Sequence, residues 1–224
     1  MSLTFPGESA EYRAARQRLL EREIELRRLS EAVAQQRREL PPGGPLPEDY
    51  VFHGDGPVKL SELFEPGKDT LAIYSYMFGP EKEAPCPMCT PMLDALDGAN
   101  AHIAQRLTFV VVAQSSPARL RAWQSERRWS LRLVSSAGTN YNRDYHGIGR
   151  ESGRDTTMLN VFTRRDGSVR HFWGTELAHG PQDPGQDHRG LDPLNPIFAM
   201  FDLTPEGRGD FYTKLRYSDA ALRK

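Results

Sequence analysis

The eight residues APCPMCTP, at positions 84–91, constrain the fold more than any other part of the chain. They include both cysteines of the sequence, Cys86 and Cys89, in the spacing Cys-x-x-Cys. Residues 70–78 (TLAIYSYMF) are apolar, β-branched and aromatic, which indicates a strand just before the pair. Met92, Leu93 and Leu96 then follow at helical spacing. The cysteine pair is therefore predicted to lie where a strand is followed by a helix.

A position at the start of a helix favours thiol chemistry. We predict that Cys86 is the N-cap and Pro87 the first helical residue, where a missing N–H group costs no hydrogen bond. Unpaired amides and the positive end of the helix dipole stabilise a thiolate there. Thiol pKa values in such motifs fall below the free value of ~8.5. Cys89, one turn further on, is close enough to form a disulfide with Cys86. We interpret the pair as a redox dithiol in which Cys86 attacks and Cys89 resolves.

Two other interpretations of the pair stay open. Cys-x-x-Cys is also half of a zinc site, but zinc takes about four ligands and the chain has no second cysteine pair, so no metal site is predicted. Thiolate and thioether together suit Cu(I), and methionines 77, 88 and 92 lie close to the cysteines in sequence. A soft-metal (copper) binding protein is therefore one alternative. The other is a non-catalytic, dimeric binding module with an inert cysteine pair.

Composition excludes several classes of function. The formal net charge of −1 gives no electrostatic reason to expect nucleic acid or a membrane surface as a partner. No apolar run approaches the ~18 residues of a membrane-spanning helix, and the first residues lack the apolar region of a signal peptide. Two cysteines at redox spacing do not form a secreted disulfide framework. We expect a cytoplasmic protein without a cofactor.

The chain is predicted to consist of four segments. Residues 1–40 are rich in strong helix formers and form a helical arm. Tyr12, Leu19, Leu26 and Val33 recur there every seven residues. This stripe is compatible with a helix that lies across its own domain and slightly favours a homodimer formed through the helix. Residues 41–49, beginning PPGGP, are a linker. Residues 50–175 form the main domain, and residues 176–224 form a C-terminal loop and extension that packs on it.

The main domain is predicted to be an α/β structure. Residues 107–113 (LTFVVVA) and 131–135 (LRLVS) are two further strands, separated by a helix that begins at Ser116. Strands that alternate with helices imply right-handed βαβ units and a parallel sheet. Asp166-Gly167, between two β-rich runs, predicts an antiparallel hairpin. The result is a mixed central sheet flanked by helices.

The order strand, Cys-x-x-Cys helix, strand, helix and hairpin resembles the thioredoxin fold. Four segments also resemble an uncharacterised bacterial thioredoxin-like family catalogued as a domain of unknown function (DUF899): MFGPEKEAPCPMCTPMLD, SSAGTNYNRDYHG, LNVFTRRDGSVRHFWGTEL and FDLTPEGRGDF. This resemblance spans nearly the whole chain. It implies a thioredoxin-like fold with a long N-terminal helix and a C-terminal extension. It also implies a redox role that the family leaves unassigned. With the Cys86–Cys89 pair, we expect a thiol–disulfide oxidoreductase that acts on protein or small-molecule disulfides and thiols.

Departures from better-understood relatives refine these expectations. Peroxiredoxins have the pattern P-x-x-x-T-x-x-C, whereas this chain has Gly79 and Glu83 at the Pro and Thr positions, which argues against peroxidase function. Thioredoxin has a cis-proline before its hairpin, in a loop that docks substrate, and this chain has Thr156-Thr157. Those two threonines and Pro87 are the predicted substrate-binding residues. The long loop 174–196 adds two histidines that are candidates to reach the cysteines, His179 and His188.

Overall fold

The N-terminal run of helix formers folds as one helix, α1, Ala10–Arg38. The side chain of Ser9 caps it by accepting a hydrogen bond from the amide of Tyr12. At 29 residues the helix is about 43 Å long. None of its side chains is buried, and the seven-residue stripe stays exposed, Leu26 for 64% of its surface. The predicted dimer through this stripe stays a prediction.

The structure, a computed structural model, describes residues 3–186 and 189–217. It divides into two units, Met1–Pro42 and Gly43–Lys224. The second unit holds a seven-stranded sheet of order β2-β1-β5-β4-β3-β6-β7. Its strands are β1 Val51–His53, β2 Pro57–Lys59, β3 Thr70–Ser75, β4 Thr108–Ala113, β5 Arg132–Ser135, β6 Met158–Arg165 and β7 Ser168–Gly174. Its helices are α2 Thr90–Ile103, α3 Pro117–Arg127, α4 Tyr141–Asp144 and α5 Pro196–Phe201.

Strand pairing confirms the predicted α/β class. β3, β4 and β5 pair in parallel, and the connections between them contain α2 and α3. β6 pairs antiparallel with the other side of β3, and β7 pairs antiparallel with β6. The two-residue loop between β6 and β7 is Asp166-Gly167, as predicted, and both residues have positive φ, at 52° and 75°. That backbone twist suits a tight hairpin. The arrangement is a thioredoxin-like fold, with the cysteine motif in the connection that follows β3.

Side chains of β3, an interior strand of the sheet, alternate between two cores. Ala72 and Tyr74 of β3 point into a cluster that also contains residues of α2 and α3. Leu71 and Ile73 point into a second cluster on the opposite face, which is rich in aromatic residues. Because β3 is covered on both faces, the chain that leaves its carboxyl end is held in a fixed position. This is the chain that carries the cysteines.

The C-terminal extension is held together by ion pairs. Arg208 pairs with both Asp192 and Asp202, and Arg189 pairs with Asp202 at 2.7 Å. Leu215 packs against the core cluster of the helical face. Throughout residues 3–186 and 189–217, no helix is long and apolar enough to cross a membrane.

Candidate active site

The cysteines lie in the turn that connects β3 to α2. The helix begins at Thr90 with Cys89 as its N-cap, so the prediction that Cys86 is the N-cap and Pro87 the first helical residue is wrong. The physical reason is that Pro91 has no N–H group to donate to the carbonyl of Pro87, so the helical hydrogen bonds are interrupted before Thr90. The Cys86 amide donates to the carbonyl of Met77 at 3.1 Å, which keeps Cys86 in the loop that leaves β3. The amide of Thr90 donates to the carbonyl of Cys86 at 3.2 Å, and the regular helix starts from there.

Cys86 is the half-buried thiol of the pair, and its surroundings stabilise the thiolate. The Cys89 thiol donates a hydrogen bond to its sulfur, and this is the largest of the effects that lower the pKa of Cys86 to about 6. The backbone amides of Cys89 and Met88 add to the lowering, as does the charge of Lys82, while burial opposes it. The amides at the start of the helix therefore act on Cys86 as expected, although Cys86 lies one turn before the helix.

Cys89 has the opposite electrostatic character. It is 5% exposed, and its pKa is raised well above the usual range, first because its proton is shared with the Cys86 sulfur and second because burial disfavours its anion. Both cysteines are free thiols in the structure. Two adjacent thiols thus differ in ionisation, one a thiolate at neutral pH and the other protonated.

A chain of two hydroxyl groups, those of Thr157 and Tyr74, leads to Cys89. The hydroxyl of Thr157 donates to that of Tyr74 at 2.6 Å. The Tyr74 hydroxyl in turn hydrogen-bonds to Cys89, whose own proton points to Cys86. Tyr74 is fully buried, which raises the pKa of its phenol and keeps it a donor. The relay places one hydrogen-bond donor behind Cys89, ready to stabilise its anion.

A second hydroxyl chain fixes the backbone of Cys86. The Tyr76 hydroxyl lies 2.6 Å from the hydroxyl of Thr90, which donates to the carbonyl of Cys86 at 2.9 Å. Tyr76 and Thr90 are both buried. The turn that carries the thiolate is therefore held by side chains as well as by backbone bonds.

Both cysteines line a cavity of about 400 Å³. Its inner wall comes from β3, the cysteine turn, α2 and the start of β6, and is formed by Tyr74, Met77, Cys86, Met88, Cys89, Met92 and Thr157. Its outer wall comes from the C-terminal extension and is formed by Leu191, Asp192, Asn195, Phe198, Arg208, Gly209 and Phe211. The dithiol thus faces a mainly apolar space that the extension encloses.

The predicted substrate-binding residues are distributed around this site. Thr157 lines the cavity beside the cysteines, although its hydroxyl is bonded to Tyr74. Thr156 lines a separate cavity of about 710 Å³, together with His146 and Glu176 among others. The carbonyl of Pro87 accepts a hydrogen bond from the Thr213 hydroxyl at 2.5 Å, and Pro87 is not among the residues that line the dithiol cavity.

Of the two histidines predicted as candidates to reach the cysteines, one is among the described residues. His179 bonds through its Nε2 to the carbonyl of Thr157 at 3.0 Å, so it supports the segment beside the cysteines and does not line their cavity. His188 lies outside the described residues. Within the described ranges, no three His, Cys, Asp or Glu side chains are grouped as a metal site.

Several residues of the site were missed by sequence reasoning. Tyr74 is visible in the sequence only as one apolar position of a strand. Thr213 donates to Pro87 across 126 positions and also contacts the sulfur of Met88 at 3.2 Å, and no local pattern signals such a contact. Arg208 and Phe211 reach the cavity in the same way, through the packing of the extension.

The model of a family described as "Bacterial protein of unknown function (DUF899)" matches residues 3–221. The chain belongs to the DUF899 family. No curated protein matches this DUF899 chain in sequence.

Solved structures share parts of its architecture at low identity. An uncharacterised conserved protein from Geobacillus kaustophilus is 14% identical with a TM-score of 0.45, covering 69% of this chain and 82% of that one. Peroxiredoxin Q from Xanthomonas campestris is 12% identical with a TM-score of 0.45, covering 59% and 84%. Peroxidoxin BcpB from Mycobacterium tuberculosis is 14% identical with a TM-score of 0.45, covering 68% and 92%. At such identities, the chemistry of this DUF899 protein has to be derived from its own residues.

Proposed function

We propose that this protein is a thiol–disulfide oxidoreductase in which Cys86 is the nucleophile and Cys89 the resolving thiol. The observation that carries the proposal is the placement of two free thiols, one half-buried and one 5% exposed, side by side on one cavity. Their environment shifts the two pKa values in opposite directions, to about 6 for Cys86 and well upward for Cys89. With that pKa, about 90% of Cys86 is thiolate at pH 7, against ~3% of a free thiol. Perturbed pairs of this kind are typical of reactive sites.

The geometry supports a two-step exchange. The Cys86 thiolate attacks one sulfur of a disulfide, forms a mixed disulfide and releases the other half as a thiolate, which takes the proton of Cys89. The Cys89 thiolate, stabilised by the hydroxyl of Tyr74, then attacks the sulfur of Cys86. This closes the Cys86–Cys89 disulfide and releases the second half, which takes a proton from water. Two electrons pass from the dithiol to the substrate.

Disulfides suit this site better than peroxides. The names of two of the solved structures above raise peroxide as an oxidant. In this chain, however, the side chain of Glu83 is exposed, and Gly79 has no side chain. Neither residue supplies the hydroxyl or the proline of the peroxidatic pattern. We therefore propose a disulfide as the oxidant of the reduced protein.

Two single substitutions test the roles of the cysteines. Cys89→Ser should alkylate rapidly at neutral pH and accumulate a mixed disulfide, because the resolving thiol is gone. Cys86→Ser should alkylate slowly and accumulate nothing. Intact-mass spectrometry after reaction with a disulfide measures the trapped adduct, and the unsubstituted protein, which resolves its adduct, is the control. Slow alkylation of both variants at equal rates would exclude the redox function and leave the interpretation of an inert cysteine pair.

Binding of Cu(I) is a second candidate function, favoured by one observation. All five soft side chains near the motif line the same cavity, namely Met77, Cys86, Met88, Cys89 and Met92. Against it, the sulfur of Met88 is already in contact with the hydroxyl of Thr213 at 3.2 Å, and Met92 is a core residue that is 2% exposed. We rank the redox function first because it uses the different ionisation of the two thiols.

A further inference from the structure

The residues of the outer cavity wall, which come from the C-terminal extension, indicate the substrate class of the dithiol. We infer that the oxidising substrate is a small, electrically neutral disulfide, and not a protein disulfide or an anionic one. This inference rests on the proposed oxidoreductase function. Three features carry it. The C-terminal extension encloses the cavity, the backbone acceptor beside Cys86 is already hydrogen-bonded, and the charges of the lining do not favour an anion.

Enclosure comes from the C-terminal extension. Phe198 and Phe211 belong to the same cavity as the thiols, so the extension occupies the surface over the dithiol. Phe201 packs between these two rings, with centroid distances of 6.1 and 5.0 Å, and the side chain of Arg208 lies 5.2 Å from the ring of Phe198. A volume of about 400 Å³ is at the lower end of the ~300–1,000 Å³ of small-molecule sites. The extension therefore restricts the approach of a folded protein's disulfide to Cys86, which is only partly exposed.

The backbone next to Cys86 is also occupied. A polypeptide substrate that lies along the cysteine turn needs backbone partners for its own amides and carbonyls. The carbonyl of Pro87 is one such acceptor, and the hydroxyl of Thr213 already donates to it at 2.5 Å. Thr213 is 1% exposed, so this bond is shielded from solvent. A docking peptide would have to displace it.

The charges of the cavity favour a neutral substrate. Among the described residues that line it, Arg208 is the one cation, and it is paired with Asp192 and with Asp202. Arg189 also pairs with both carboxylates, so the two guanidinium groups balance them. Among the described lining residues, the Cys86 thiolate therefore leaves a net negative charge, with the one lining cation already paired. The remaining wall is mostly Met, Phe, Tyr and Leu. An anionic disulfide meets repulsion there, whereas a neutral, weakly polar disulfide replaces water on an apolar surface.

The experiment compares three disulfides on the reduced full-length protein. The reagents are bis(2-hydroxyethyl) disulfide, which is neutral and small, oxidised glutathione, which is anionic, and insulin, a protein disulfide. Oxidation of the dithiol is followed by mass spectrometry after rapid acid quench. Each rate is divided by the rate of the same reagent with free cysteine. The normalised rate with the neutral disulfide should exceed the other two at least ~10-fold.

Two substitutions in the cavity wall test whether its residues cause the preference for the neutral disulfide. Asp192→Asn removes one negative charge and should raise the glutathione rate relative to the neutral rate by about fivefold. Phe211→Ala opens the wall at a side chain that is already 42% exposed and should raise the relative insulin rate. Leu203→Ala is the matched control, since Leu203 lies in the same extension, is 80% exposed and does not line the cavity. It should leave all ratios unchanged.

Failure of the inference and failure of the proposed function give different results. Iodoacetamide, a small neutral alkylating agent, reports whether Cys86 is reactive at pH 7. Rapid alkylation with equal normalised rates for all three disulfides would overturn the neutral-substrate inference and leave the oxidoreductase standing. Slow alkylation and no oxidation by any disulfide would overturn the proposed function itself. Unchanged ratios in both Asp192→Asn and Phe211→Ala, with native circular dichroism, would also contradict the role of the wall.

Discussion

The hydrogen bond from Cys89 to Cys86 can be removed without removing the nucleophile. Cys89→Ala deletes the donor, whereas Cys89→Ser keeps an O–H group at the same position. Because this bond is the largest cause of the lowered pKa of Cys86, the two variants should titrate differently. The backbone amides and Lys82 act on Cys86 in both, so any difference between the variants isolates the donor at position 89.

The size of the difference follows from the strength of a hydrogen bond to a charged group. Such bonds contribute about 1.5–3 kcal/mol, and ~1.4 kcal/mol corresponds to one pKa unit. The pKa of Cys86 should therefore rise from about 6 in the unsubstituted protein to ~7–8 in Cys89→Ala. In Cys89→Ser it should stay near its starting value. The thiolate fraction at pH 7 then falls to ~10–50% in the alanine variant.

The rate of iodoacetamide alkylation as a function of pH measures both values, and the ultraviolet absorbance of the thiolate provides an independent titration. Attack rates also fall as the thiol pKa falls, with a Brønsted coefficient of ~0.4–0.5. The midpoint of the profile is therefore the quantity to compare, rather than the plateau. If both variants titrate near 6, the amides alone set the pKa. If both titrate near the free value of ~8.5, the thiolate of Cys86 is not stabilised and the reasoning fails.

Two further predictions concern assembly and metal. Deletion of the residues before Pro41 should convert a dimer to a monomer in light scattering, because the exposed stripe of α1, including Leu19 and Leu26, would then be absent; a full-length protein that is monomeric at micromolar concentration would contradict this. Reduced, purified protein should retain well under one copper per chain against a weak chelator, as measured by elemental analysis; stoichiometric retention would favour the soft-metal function instead.

Local patterns in the sequence are sufficient to predict the framework of the site. The apolar run before Cys86 and the helical spacing after Cys89 depend on neighbouring residues, so they indicate β3 and α2 directly. The hairpin after β6 is equally local, because Asp166-Gly167 supplies the positive φ values that its turn needs. Elements of this kind are set by periodicity and turn chemistry.

The outer wall of the site could not be predicted because it depends on contacts between distant parts of the chain. Thr213 reaches Pro87 and Met88 only after the extension has packed, and polar side chains in a Gly- and Pro-rich segment have no periodicity that gives their direction. The start of α2 was misplaced for a different reason. Pro87 suits a first helical position, but Pro91 cannot donate to its carbonyl, which accepts the hydroxyl of Thr213 instead. One local preference prevailed over another.

The order in which the chain is synthesised gives the outer wall a further consequence. Residues 191–213 follow the whole sheet in sequence, so on the ribosome β3, the dithiol and the hairpin emerge before the segment that covers Cys86. A nascent chain, or one clipped by a protease after β7, would present the thiolate to any disulfide it meets. Under the proposed function, reactivity is thus acquired early in biosynthesis, and discrimination between partners is acquired only when the extension has docked.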